Sequence, residues 1–338
     1  PAGSTWSGWP RCFRMWGAEV HWNDLRVRVR TLTGDAFLVP RALREMLPIC
    51  YWDVRTLKRN IERVKGIPVL LQVLIHDGAP LSDDDRLHSL PPGPQGLEVV
   101  LVTSSGPCIS ALHNWPSPGI SALALRAAVL RLGPGSCCEE LLRIAFGKDV
   151  CWQARIRATD LLSAISMPGD TYCTDCLVRT LSEDPQESSS AIQHHLSVCR
   201  MRCLDLLSRI ASERHDGARA LFIRLAKLQG DVRSLNGRLS SAPGRLALIS
   251  LAGLRRVAAP DAPDMEEAIA AATLHLRSLV PEVVCEAIRA IGPAARLGAV
   301  GALDDLRGQA GHANGWVRAA ARAALAGADD VAGAGGAG

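Results

Sequence analysis

No run of apolar residues in this chain approaches the roughly 20 that a helix needs to cross a bilayer, so no membrane partner is expected. An excess of one charge is also missing. The 38 Lys and Arg against 34 Asp and Glu leave a net charge of +4, with arginines spread along helical stretches rather than clustered, so no nucleic-acid partner is expected. The motifs of common chemistries are absent too: no Gly-x-x-x-x-Gly-Lys phosphate loop, no His-Glu-x-x-His zinc helix, no Gly-x-Ser-x-Gly nucleophile elbow. The chain reads as a non-enzyme without a cofactor. Disorder is excluded by 48% hydrophobic against 21% charged residues, and 338 residues suffice for two domains with their own cores. The sequence starts at Pro1 rather than a methionine and has no evident signal peptide, which leaves a targeting segment open. Residues 1–23, with Trp6, Trp9, Trp16 and Trp22, are expected to be a disordered leader, and the protein is expected to be intracellular, cytoplasmic or nuclear.

What is present begins at Leu25-Arg26-Val27-Arg28-Val29-Arg30, where apolar and cationic residues alternate as in a strand with one buried face. A turn at Thr31-Leu32-Thr33-Gly34 and a return strand at Ala36-Phe37-Leu38-Val39 complete a hairpin. Asp53 caps a helix with Val54, Leu57, Ile61 and Val64 on one apolar stripe, and Gly66 with Pro68 ends it. Val73-Leu74-Ile75 and Leu97 to Val102 are two further strands, the second apolar enough to lie centrally.

This order is that of a β-grasp fold, and the residues resemble ubiquitin: Val-Arg-Thr-Leu-Thr-Gly at 29–34, then Gly66-Ile67-Pro68, Gln72, Leu74-Ile75, Gly78, Leu81 and Leu87 at matching spacings. About a quarter of the chain is covered. The resemblance implies a protein-binding patch at Leu32, Ile75 and Val100, with ubiquitin receptors or proteasome components as partners. The chain departs from the family in several places. Thr103-Ser104-Ser105-Gly106 replaces the Arg-Gly tail, so conjugation is not expected. Val73 and Glu98 replace the arginine and histidine that flank the patch, Ala79 replaces the chain-linking lysine, and 40–51 lengthens the connection before the helix.

The eleven cysteines read by default as reduced, small apolar residues of helix faces. A sharper alternative is zinc held by Cys173, Cys176, His195 and Cys199, which have suitable ligand types.

From Ser117 on, Ala, Leu and Arg with Gly/Pro punctuation predict helices joined by short turns. Ile156–Ile165 is echoed by Met201–Ile210 at an offset of 45, Leu204, Leu207 and Ile210 by Leu248, Leu251 and Leu254 at 44, and Val283–Ile291 by Val317–Leu325 at 34. Such periods mean stacked helix pairs. Residues 315–325 resemble the second helix of a HEAT or armadillo repeat. Partner helices are expected at Glu139–Phe146, Tyr172–Leu181, Gly217–Leu228, Met265–Ser278 and Val300–Leu306, giving five pairs plus a half pair at Ile120–Leu132. Arg179, Arg224, Arg277 and Arg318 either grip acidic clients or form a solvated helix face.

The fold class expected is thus multidomain, α+β followed by all-α: a ubiquitin-like β-grasp domain at 24–104, a linker at 105–117, an α-solenoid of HEAT-like repeats at 118–328 and a disordered Gly/Ala tail at 329–338. The function expected is that of an adaptor or scaffold whose first domain binds a ubiquitin receptor while the repeats hold a client. One alternative makes the β-grasp unit a structural cap on the array. Another, drawn from the repeat resemblance, is a bilin-lyase-like enzyme; an iron hydroxylase with repeated His-Glu pairs is excluded because the dipeptide does not occur.

Overall fold

A computed structural model describes residues 27–39, 52–92, 96–116, 120–183, 190–229, 242–257, 262–297 and 299–334. The expectations for 1–23 and for the 40–51 insertion lie outside these residues. The chain is a mixed α+β protein, a five-stranded sheet followed by many helices, and it divides into two compact units at Leu132/Gly133.

In the first unit the alternating segment forms β1 (Val27–Thr31), which pairs antiparallel with β2 (Ala36–Leu38). Helix α1 (Val54–Lys65) follows, then β3 (Gln72–His76), β4 (Ala79–Pro80) and β5 (Leu97–Thr103). The sheet order is β2-β1-β5-β3-β4, with β5 parallel to β1 and antiparallel to β3. Period-2 alternation sends Val27, Val29, Leu74, Leu97, Val99 and Leu101 into one core with Val54, Leu57 and Ile61 of α1. Each such side chain removed from water contributes about 1.5–3 kcal/mol.

Helix α1 starts where the Asp53 carboxylate accepts from the Thr56 backbone N–H at 2.7 Å and stops where Gly66, at φ 65°, turns left-handed. Its stripe is shorter than the spacing predicts: Val64 is exposed, because Gly66 ends the helix two residues later, and Lys58 and Asn60 are buried instead. Gln72 anchors β3 to the helix, its buried amide donating to the carbonyls of Lys58 (2.9 Å) and Ile67 (2.7 Å).

The expected linker at 105–117 is corrected. Helix α2 occupies Gly106–His113 with Cys108 and Leu112 wholly buried, packed against α3 (Ala122–Leu132) and a 3-10 turn at Val69–Leu71. Pro107 opens the helix rather than breaking it, since the first turn has no intrahelical use for its missing N–H. Accordingly α3, expected as a half pair of the repeats, belongs to the compact unit of the sheet.

In the second unit ten helices follow as five successive pairs among the described residues: α4 (Pro134–Phe146) and α5 (Trp152–Ile165), α6 (Thr171–Ser182) and α7 (Ser190–Ile210), α8 (Asp216–Gln229) and α9 (Ala242–Val257), α10 (Met265–Thr273) and α11 (Pro281–Arg296), α12 (Val300–Gln309) and α13 (Gly315–Ala334). First helices pack on first helices, α4 on α6, α6 on α8 and α8 on α10, while α5, α7, α9, α11 and α13 pack in a second row. Buried leucines and alanines fill both rows, Leu141, Leu177 and Ala271 in the first and Leu161, Leu207, Leu251, Ala287 and Ala321 in the second. The tail expected from 329 onward is helical up to Ala334, as its alanines favour.

Candidate functional site

On β3 and β5 the residues that do not face α1 form an apolar quartet. Ile75 lies opposite Val100, and Val73 opposite Val102, as direct cross-strand partners, and all four are half-buried. Directly opposed side chains in a sheet touch. The patch residues Ile75 and Val100 are therefore adjacent. Leu32 is placed differently: it leaves β1 one residue after Thr31, the last residue in register with β5, and stands in the β1–β2 turn at 73% exposure. Val73 and Val102 belong to the quartet by strand parity, i−2 from Ile75 and i+2 from Val100; the sequence placed both in strands but did not add them to the patch.

One border of the quartet is charged. Arg30, in register with Val100, makes an ion pair at 3.0 Å with Glu98. Both side chains are about half exposed, so the pair contributes at most about 1 kcal/mol, and its effect is to fix which charges edge the apolar surface. Behind it His76 is buried, its Nδ1 donating to the Glu98 carbonyl at 2.9 Å. Beyond Thr103 the chain turns directly into α2, so the last strand has no free tail within the described residues.

The suggested zinc ligands are not brought together. Among the described residues no group of three His, Cys, Asp or Glu side chains is placed to hold a metal ion. Cys173 and Cys176 face α4, whereas Cys199 is buried on α7 near Arg155, Arg202 and Cys203, where burial pushes its thiol up to about 11. His195 lies in α7, and its side chain is outside the described residues. None of the nine cysteines among the described residues is joined in a disulfide.

The candidate arginines mostly serve the fold. Arg179 of α6 reaches back one helix pair to Glu139 of α4 at 2.6 Å, and Arg224 of α8 donates to the Ser182 carbonyl at 3.4 Å. Arg318 donates to the carbonyls of His312 and Ala313 at 2.7 Å. Arg277 is exposed. Further links of this kind are Lys227 to Glu267 at 2.6 Å and Arg256 to the Ala211 carbonyl at 2.9 Å. Among the described residues no helix is long and apolar enough to cross a membrane.

No family model matches the chain, and no curated protein matches it. Among solved structures, a chain in "Crystal structure of ATBAG1 in complex with HSP70" is similar at 11% identity, covering 55% of this chain and 95% of that chain, with a TM-score of 0.20. A likeness at that score carries no argument about fold or partner.

Proposed function

We propose that this protein is a non-enzymatic adaptor, in which a ubiquitin-like β-grasp domain docks on a ubiquitin receptor and a HEAT-like α-solenoid holds a client. The observation that carries the proposal is the apolar quartet Val73, Ile75, Val100 and Val102 on the sheet face away from α1, edged by Arg30 and Glu98. Contiguous apolar surface with a polar border is the signature of a docking site. The strand order β2-β1-β5-β3-β4, with its parallel central pair and one crossing helix, supports the β-grasp assignment. Two rows of helices, each packed on its sequence neighbours, support the solenoid.

The test is a titration of the full chain with a fluorescent peptide carrying a ubiquitin-interacting motif. Saturable binding that weakens at least tenfold in the Ile75→Ala, Val100→Ala double variant, with far-ultraviolet circular dichroism unchanged, is the expected result. No saturable binding, or equal binding by the double variant, would overturn the receptor reading and leave the sheet as a structural cap.

A further inference from the structure

The two rows of helices differ in how their cations are matched. In the first row every last-turn cation has a carboxylate of its own, as Arg179 has Glu139 and Lys227 has Glu267. That matching fails in the second row. Arg209 in the last turn of α7, Arg255 and Arg256 of α9 and Arg296 of α11 are all exposed, and among the described residues only Asp205 and Glu286 form ion pairs with any of them. Over their whole length the second-row helices carry twelve arginines against six carboxylates, whereas the first-row helices carry six cations against eight. Arginines spread along the sequence are thus gathered by the stacking onto one row.

Contacts between the helices join four of these cations into one patch. Arg256 Nε donates at 2.9 Å to the carbonyl of Ala211, two residues beyond Arg209, so the ends of α7 and α9 lie together. Arg255 continues toward α11. Its Nε is 3.3 Å from one oxygen of Glu286, and Arg289 holds the other oxygen at 2.9 Å. The Glu286 side chain is only 10% exposed, against 48% for Arg255 and 57% for Arg289. One sunken carboxylate therefore orients two guanidiniums and leaves them open to solvent. Arg209 is held from its inner side as well, by Asp205 at 3.3 Å and the Ser163 hydroxyl at 3.2 Å. The loop after α7 adds one residue of each sign, Glu213 and Arg214, and does not neutralise the patch.

We propose that Arg209, Arg255, Arg256 and Arg289 form a docking surface for an acidic segment of the client, a stretch of polypeptide rich in Asp or Glu. The inference rests on the reading that the helical array holds a client, and it states the chemistry by which that client is held. A planar guanidinium takes a carboxylate through two parallel N–H bonds, and one already fixed by a buried acid loses little freedom in doing so. Nucleic acid fits less well. α7, α9 and α11 carry no Phe, Tyr or Trp on which a base could stack. Asp205 and Glu286 also interrupt the patch, so a continuous phosphate backbone crossing it would meet like charge, whereas a peptide sets its acidic side chains between them.

The experiment titrates the full chain into a fluorescein-labelled peptide of alternating Glu and Ser and follows anisotropy. Saturable binding that falls as salt is raised, and that weakens at least tenfold in the Arg209→Gln, Arg289→Gln double variant, is expected. Arg143→Gln with Arg307→Gln, in the first row where Glu140 and Asp304 match these cations, should leave binding within about twofold. The proposal is overturned by a lack of saturable binding, by equal weakening in both double variants, or by tighter binding of a single-stranded oligodeoxynucleotide. Where the second-row variant fails to fold, a photoreactive copy of the peptide cross-linked to the wild-type chain decides: adducts beside Arg209, Arg255 and Arg289 support the patch, and adducts confined elsewhere overturn it. The peptide has no apolar side chain for the sheet quartet, so its failure removes this patch and leaves the receptor reading to its own titration.

Discussion

The ring of Phe222 in α8 lies over Gly253 in α9, so close that a Cβ at position 253 would stand 2.5 Å from two ring carbons. Phe222 is wholly buried, and the helices meet at this point because one of them carries no side chain there. Gly253→Ala is therefore expected to cost about 1–3 kcal/mol in urea unfolding. Shortening the ring with Phe222→Leu in the same chain should make the double variant less destabilised than the sum of the two single changes. A Gly253→Ala chain of unaltered stability would contradict this packing.

Gln72 should be among the most sensitive polar positions of the sheet unit. Gln72→Ala removes the buried amide that donates to the carbonyls of Lys58 and Ile67 and ties β3 to α1. A loss of about 1–3 kcal/mol is expected in chemical denaturation, with amides of α1 exchanging faster. Equal protection of α1 in both chains would show that the amide does not tie helix to sheet.

Helix α2 gives a sharp contrast between a linker and a packed element. In a linker Leu112→Ala would be neutral, whereas the wholly buried Leu112 is expected to cost about 2–5 kcal/mol when truncated. The exposed neighbour His113→Ala serves as the control and should change little.

His275 predicts a pH dependence of one sign. Burial lowers its pKa from the ordinary 6.5, and its Nε2 donates to the Ala226 carbonyl at 3.0 Å. The unfolded chain takes up the proton first as pH falls, so the contribution is intact above pH 6.5 and is lost as pH drops below it toward the folded value. The melting temperature should fall between pH 7 and about pH 5, and His275→Gln should flatten that slope. A slope that persists in the variant would assign the effect to other groups.

The strands at 27–31 and 97–103 were legible because a two-residue period is a local signal, and α1 because its cap and stop are single residues, Asp53 and Gly66. The helix pairs were legible because the same apolar spacing recurs. Helix α2 was not: Pro107 reads as a breaker until its place in the first turn is known. Ile75 and Val100 came from the resemblance, while Val73 and Val102 needed only parity along β3 and β5 to be added. The surroundings of the cysteines were beyond reach: Cys173 and Cys176 are buried on α6, which stacks on α4, whereas Cys199, to which the sequence spacing pointed, is buried on α7.

The polar links between helix pairs bear on how such a chain can lengthen or shorten over generations. Arg179 finds Glu139, and Lys227 finds Glu267, 40 residues away in each case. Both links join first helices of successive pairs, so excising a single helix strands a guanidinium or ammonium beside the wrong row. Duplications and losses that survive should therefore fall at the loops before α6, α8 and α10 and remove or add complete units.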